Sequence, residues 1–445
     1  MPSTYEYVDD DLDALHLEMP TLTVLRPDVQ RYVGMILQPA GQLIASAEDR
    51  LVRSADRDLI GEKMTAFFDL ACERSADLAI TPEYSCPWPA LSRQIASGRL
   101  PGERALWIVG CESTSPKDLQ YFINANEHAV DFIHEPLTVS EDFYDPVCML
   151  FTVRRKASAD YRTVCLIQFK TYPMGGLPLE AEHMIPGTKK YVLRNDENSI
   201  YLLTILCSES LEIRDPDTEI INFLQHAYFL VHLQLNPKPS TFNFRRYRTN
   251  YFNNADESAN KELICVNWAN GTVVGNTDIV LGGTSLYLKD PSIDRSDSRI
   301  SENDDFGVSY HNWRSARAII YQFVPREGIF TFLNFKCCQL LAAVQNRKRY
   351  GPQVESFLEW QVNAWVSRKG WALHCIQELC NGLDGDFTPL LNEQIKSIDK
   401  ERLLALTAGL VEVPDWRIVS NLQSMTIEDA EFSNRLTFSY SDAVA

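Results

Sequence analysis

Three short stretches of this sequence each set a reactive side chain at the end of an apolar run. Leu78-Ala-Ile-Thr-Pro-Glu-Tyr-Ser85 carries Glu83, Thr163-Val-Cys-Leu-Ile-Gln-Phe-Lys170 closes on Lys170, and Ile200-Tyr-Leu-Leu-Thr-Ile-Leu206 runs into Cys207. Each residue has an ordinary reading. A carboxylate after a strand and a proline can be a solvated loop charge. A lysine closing an apolar strand usually reaches to water. Cysteine is among the most buried residue types. Taken together the three form a chemical set. A thiol attacks carbon as the thiolate, so it needs a base or a cation beside it. Glutamate can take the proton, and lysine can hold the negative charge that develops on a substrate oxygen or nitrogen.

The elements that must position these groups alternate along the chain. Strand patterns cover Val29–Leu37, Leu78–Ile80 (broken by Pro82) and Ala105–Val109 (stopped by Gly110). Ile60, Met64, Phe67, Phe68, Ala71 and Cys72 recur at helical spacing, which predicts an amphipathic helix over 59–75. Cys148–Val153 and Thr163–Phe169 flank a polar stretch and read as a hairpin. After Ile200–Leu206, Asp215-Pro216 should open a helix. Strands follow at Phe229–Leu235, Leu263–Val266, Ile279–Leu288 and Arg317–Val324, with 292–304 as a polar loop. Near-continuous apolar strands among helices predict a layered α/β domain whose sheets are covered on both faces. In such folds ligands meet the sheet at the strands' C-terminal edge. Residues 1–24 read as a polar arm, 25–335 as the main domain and 336–445 as a helical extension. For that extension Phe357, Val362, Trp365, Leu373, Ile376, Leu379 and 400–411 supply the apolar positions.

Composition excludes several classes. The net charge of −18 argues against broad phosphate-backbone binding. Arg245, Arg246 and Arg248 form a local basic patch that reads as a solvated helix face. The 11 cysteines show no CxxC and no zinc-site spacing. The acidic start lacks the pattern of a secretory signal, and no run approaches the roughly 20 apolar residues of a membrane span. A cytoplasmic protein with free thiols is the expectation.

The ordered segments resemble the nitrilase superfamily of carbon–nitrogen hydrolases across residues 25–330. The resemblance is carried by GMILQPA (34–40), LAITPEYS, QFKTYP with EAEHMIPG (180–187), LLTILCSES, VHLQLNPKPS (231–240), FRRYRTNY (244–251), ELICVNWANG (262–271) and LGGTSLYL (281–288). It implies a four-layer α-β-β-α sandwich that usually pairs as a homodimer or larger oligomer. Cys207 matches the nucleophile, Glu83 the general base and Lys170 the cation at the tetrahedral intermediate. Glu180 matches the second glutamate, with Glu182 as its rival. The Ser208 N–H would help to bind the oxyanion, while Tyr84, Glu209 and Asn267 fall where substrate would be met. The resemblance implies an amide or nitrile substrate, no cofactor and no metal, because the thiol supplies the nucleophile that zinc-bound water supplies elsewhere. The chain departs from its family after the cysteine (Ser208-Glu209-Ser210) and after the lysine (Thr171-Tyr172), which points to a divergent branch. A second reading makes the sandwich one module of a larger system, such as those of bacterial defence that contain a reverse transcriptase, with 336–445 docking a protein partner.

Cys86, Cys111, Cys148, Cys165 and Cys265 read as core, and His183 and His226 as surface or satisfied core groups. Asn267-Trp268 ends a strand at the edge where the pocket would lie.

Overall fold

The computed structural model describes residues 3–26, 29, 31–174, 178–195, 200–214, 227–236, 242–253, 261–269, 271–278, 284–289, 308–313, 318–323, 327–337, 350–352, 361–366 and 369–373. The elements are β1 (Thr4–Tyr7), α1 (Asp9–Ala14), β2 (Arg31–Gln38), β3 (Gln42–Ser46), β4 (Leu51–Ser54), α2 (Arg57–Glu73), β5 (Leu78–Cys86), α3 (Trp88–Ser97), β6 (Leu106–Cys111), α4 (Pro116–Asn126), β7 (Asp131–His134), β8 (Pro146–Arg154) and β9 (Tyr161–Phe169). They continue as α5 (Pro178–His183), β10 (Lys189–Arg194), β11 (Tyr201–Leu206), α6 (Ser210–Arg214), β12 (Ala227–Leu233), α7 (Phe242–Asn253), β13 (Lys261–Val266), β14 (Val273–Val274), β15 (Thr277–Asp278), β16 (Ser285–Lys289), β17 (Val308–Trp313), β18 (Ala318–Phe323), β19 (Gly328–Cys337), β20 (Tyr350–Pro352), β21 (Gln361–Val366) and β22 (Gly370–Leu373).

Two large sheets face one another. The first runs β22-β21-β19-β2-β5-β6-β8-β9-β7, with β20 beside β19; the second runs β1-β10-β11-β12-β13-β16-β18-β17. Their inner faces share one core. Ile36, Ile80, Ile108 and Met149 come from the first sheet and Leu202, Leu206, Val231 and Ile264 from the second. Alternation along each strand sends the intervening residues outward. Met35, Ala79, Trp107 and Cys148 pack on α2, α3 and α4 through Met64, Phe68, Leu91 and Leu119. The outer face of the second sheet is covered by α7, whose Tyr251 hydroxyl donates to the Glu262 carbonyl at 3.1 Å and whose Phe252 ring meets Tyr287. The result is the four-layer α-β-β-α sandwich. A buried cross-tie joins the sheets, with Gln168 Nε2 donating to Thr204 O at 2.9 Å and Gln168 Oε1 accepting from Tyr191 N–H at 2.9 Å.

Helix boundaries follow local chemistry. Asp56 caps α2 by accepting from the Leu59 N–H, and Ser115 caps α4, where Pro116 sits in the first turn. The hairpin of β8 and β9 pairs from Pro146↔Phe169 to Arg154↔Tyr161. Cys86, Cys111, Cys148, Cys165 and Cys265 are buried and free.

Several expectations are corrected. The N-terminal segment is no polar arm. β1 joins the second sheet beside β10, and Val8, Leu12, Leu17, Leu22, Val24 and Leu25 enter the inter-sheet core. Acidic residues between these apolar positions give the segment its polar look. In the expected helical extension the described residues form strands, and β21 pairs with β19 and with β22. Gln361-Val-Asn-Ala-Trp-Val366 alternates with period two, and the i, i+3 spacing of Val362 and Trp365 mimics a helix only locally. Gly370, which opens β22 opposite Val366, has a φ of 75°. Phe357, Ile376, Leu379 and 400–411 lie outside the described residues, as do Asp215-Pro216, His226 and 292–304. Arg248 is not solvated: it is 2% exposed and lies over the rings of Tyr247 and Tyr287, whereas Arg246 is exposed. No helix among the described residues is long and apolar enough to cross a membrane.

Candidate active site

Glu83 sits where β5 leaves its ladder. The strand pairs with β6 as far as Thr81↔Val109 and resumes at Cys86↔Cys111. Pro82 has no N–H to give, and Tyr84 takes a φ of 57°, so the chain bulges instead of ending as the sequence suggests. Gly110 faces the bulge from within β6, which likewise runs past it. A Cβ there would lie 2.1 Å from the Pro82 oxygen, so glycine lets the two backbones approach. The bulge is pinned by Ser85 Oγ donating to Pro82 O at 2.7 Å and by Trp268 Nε1 donating to Glu83 O at 2.8 Å.

Lys170 leaves the end of β9 with its backbone held on both sides. Its N–H donates to Asp145 O at 2.8 Å, and its carbonyl accepts from Gly187 N–H at 2.9 Å. The ammonium donates to Glu83 Oε1 at 2.9 Å and to Glu180 Oε2 at 2.8 Å, and stands 3.3 Å from Asp145 Oδ2. Glu180 comes from α5. It also accepts from Met174 N–H at 2.8 Å and from the Tyr84 hydroxyl at 3.3 Å. Glu182 is exposed on the same helix, so Glu180 is the glutamate at the lysine.

Cys207 follows β11 and opens a one-turn 3-10 helix, Cys207–Glu209. Its φ is 32°, a left-handed value that a side chain adopts at a cost. The Leu235 N–H donates to Glu83 Oε2 at 2.8 Å. Lys170 meets Glu83 directly, and Ser208 beside Cys207 bonds the Tyr172 carbonyl beyond Lys170, so the ends of β9 and β11 lie together and the charges of Glu83 and Lys170 act on the thiol.

The charges are unbalanced. Glu83, Asp145 and Glu180 bring oxygens within 4.8 Å of one another, a spacing that could hold a metal ion, and the Lys170 ammonium contacts all three. Three ionised carboxylates would leave two buried charges uncompensated. Burial, then the charge of Glu83, pushes the Asp145 pKa well above its ordinary value, which favours a proton on that carboxyl. Burial works against the Lys170 ammonium, but the charges of Glu180 and Glu83 outweigh it and raise its pKa. Burial also pushes the Cys207 thiol up, and Glu83 adds to this while Lys170 and the Leu235 N–H pull back. The resting sulfur is therefore a thiol.

The remaining expected residues fall into place around this centre. Tyr84 is buried with its hydroxyl on Glu180. Ser208 is buried, and its Oγ donates to Tyr172 O at 2.6 Å. Glu209, expected at the substrate, instead spends both oxygens on backbone. Oε1 accepts from Thr171 N–H at 2.7 Å and Oε2 from Leu206 N–H at 2.7 Å, so the carboxylate ties the end of β9 to the end of β11. Asn267, also expected at the substrate, bonds to the Asn236 and Trp268 backbone and holds that strand end. His183 meets Asp142 at the partly exposed rim.

Sequence reasoning missed Asp145, Trp268 as the holder of Glu83, and His232. Two signals were present: Asp145-Pro146 opens an apolar strand, and His232 interrupts another, Phe229-Leu-Val-His-Leu233.

No family model matches the chain, and no curated protein matches it. Solved structures do. One is a glutamine-dependent NAD(+) synthetase from Cytophaga hutchinsonii at 8% identity and a TM-score of 0.31, covering 58% of this chain and 38% of that one. Another is an N-terminal amidase with an Asn-Glu-Ala peptide, at 8% identity and a TM-score of 0.35, covering 69% of this chain and 97% of that one. The chain thus spans well under half of the synthetase and nearly all of the amidase. Neither likeness carries the functional reading, which rests on the geometry of the site.

Proposed function

We propose that this chain is a carbon–nitrogen hydrolase of the nitrilase type, acting on an amide or related group through a covalent intermediate on Cys207. The observation that carries the reading is the Lys170 ammonium, buried between Glu83 and Glu180, with the Cys207 turn tied to the end of the lysine's strand through Ser208 and Glu209. A structural lysine has no need of a strained cysteine beside its carboxylate.

In this reading the thiol proton passes to Glu83 as sulfur attacks the substrate carbon. Lys170 and the Ser208 N–H stabilise the charge on the tetrahedral intermediate. The carbon–nitrogen bond breaks, the leaving nitrogen takes the proton from Glu83, and a thioester remains. Glu83 then accepts a proton from water, which attacks the thioester and releases the acid and the thiol. Glu180 holds Lys170 in place. A resting thiol suits this sequence, because the proton leaves only when the sulfur has a carbon to attack.

The test is incubation of the full chain with an electrophilic amide or nitrile probe, read by intact mass and peptide mapping. Wild type should gain one adduct at Cys207, and Cys207→Ala none. Labelling that persists in Cys207→Ala removes Cys207 as the nucleophile.

A further inference from the structure

We infer that His232 is a positioning residue for this nucleophile: it holds the Cys207 carbonyl and, through the rigid peptide plane, fixes the direction of the Ser208 N–H. The inference rests on the hydrolase reading above and deepens it.

His232 lies on β12, in register with Ile205 of the nucleophile's own strand. Its neighbours Val231 and Leu233 belong to the core between the sheets, so alternation turns its ring toward the outer helix layer. There it is fully buried, stacked on Phe244 with centroids 6.1 Å apart and met edge-on by Tyr247 at 5.1 Å. Nε2 lies 3.0 Å from the Cys207 carbonyl oxygen. A carbonyl only accepts, so Nε2 carries the proton. Nδ1 is then the acceptor, and it receives the Tyr247 hydroxyl, while Gln234 Nε2 lies against the ring, 2.9 Å from Nδ1 and 3.4 Å from Nε2. Both ring nitrogens have complementary partners, and one tautomer is selected. Burial, joined by the charges of Arg248 and Lys170, lowers the ring's pKa to about 3, which keeps it neutral.

The described peptide bonds are all trans, so the Cys207 C=O and the Ser208 N–H point in opposite directions. Whatever holds the carbonyl toward the helix layer turns the N–H away from it. Ser210 shares the task, since its Oγ donates to the same oxygen at 2.9 Å. Ser210 belongs to the turn itself. His232 comes from outside and fastens the turn to β12 and, through Tyr247, to α7. With Ser210 still present, loss of His232 misaims the N–H without freeing it. The effect should be about tenfold, less than the ~10²–10³ of removing an oxyanion donor outright.

Two reagents separate aim from reactivity. p-Nitrophenyl acetate acylates a thiol through a tetrahedral oxyanion: the S–C bond forms, the C–O bond to p-nitrophenolate breaks, and the thiol proton passes to Glu83. Iodoacetamide alkylates the same sulfur by displacing iodide, with no oxyanion. In full-length His232→Leu, acylation of Cys207 should fall about tenfold relative to alkylation. In His232→Gln, whose side-chain amide can donate to the same oxygen, the ratio should recover. An unchanged ratio in His232→Leu overturns the proposal. A second readout needs no reactivity: ¹⁵N-histidine NMR, with the His232 signal identified by its loss in His232→Gln. The Nε2–H tautomer should persist from pH 5 to 9, and an Nδ1–H or charged ring overturns the proposal. A wild-type chain that keeps this tautomer but is never acylated at Cys207 sinks the hydrolase reading and leaves the hold on the carbonyl standing.

Discussion

The Lys170 ammonium meets three carboxyl groups in a fully buried space, and the raised pKa of Asp145 favours a proton that cuts the excess negative charge from two to one. A carboxyl whose pKa is raised on folding contributes stability that is whole below its unfolded pKa and is lost as pH rises toward the folded value. For Asp145 the loss begins near pH 4. Asp145→Asn keeps a neutral donor and removes the titration. Its melting temperature minus that of wild type should therefore grow from pH 4 to pH 8, as followed by circular dichroism. A difference that shrinks over that range contradicts a protonated Asp145. Glu83, Lys170 and Cys207 were legible in the sequence because each terminates an apolar run. Asp145 was not, because it precedes its strand and acts on a lysine 25 residues away in sequence only after the hairpin of β8 and β9 has closed. His232 was hidden for the opposite reason: a polar residue inside a strand reads as an accident until the layer that covers it is known.

At the scale of elements, the site depends on the irregularities of its strands. The sequence places β5 and β6 correctly but ends both too soon, at Pro82 and at Gly110. Proline and glycine are read as breakers, whereas here they make a bulge and the room for it. Gly110→Ala tests this pairing. Its Cβ would meet the Pro82 carbonyl and the Glu83 Cα at 2.9 Å, both backbone atoms that cannot swing aside. The expected cost is about 1–3 kcal/mol of stability, with probe labelling at Cys207 falling more steeply than the folded fraction, because Glu83 rides on the displaced bulge. Equal losses in both measurements would show that the bulge matters for folding alone. Glu209 is the other element-level device. A residue expected to touch substrate instead locks the Lys170 and Cys207 strand ends together, a role that sequence cannot show because two of its partners are backbone N–H groups and the third, the Thr171 hydroxyl, comes from another strand end.

At the scale of the molecule, sequence gave the layers but not the reach of the termini. The first 25 residues and the strands at 350–373 look peripheral in composition, yet the former fills the inter-sheet core and the latter extends a sheet. Glu83 and Lys170 stand on one sheet, and Cys207 on the other. Met149 of the first sheet reaches across the core below the site, its sulfur accepting from Thr204 Oγ1 of the second at 3.6 Å. Met149→Ala should cost about 2–5 kcal/mol by chemical denaturation. Probe labelling of the fraction that remains folded should slow as well, and an undiminished rate in that fraction would separate the site from the core. The packed side chains thus act as a spacer in a caliper: the core sets how far apart the strand ends that carry base and nucleophile are held. Hydrostatic pressure, which squeezes voids before it unfolds chains, should then retune the rate of a reaction whose own atoms it never touches.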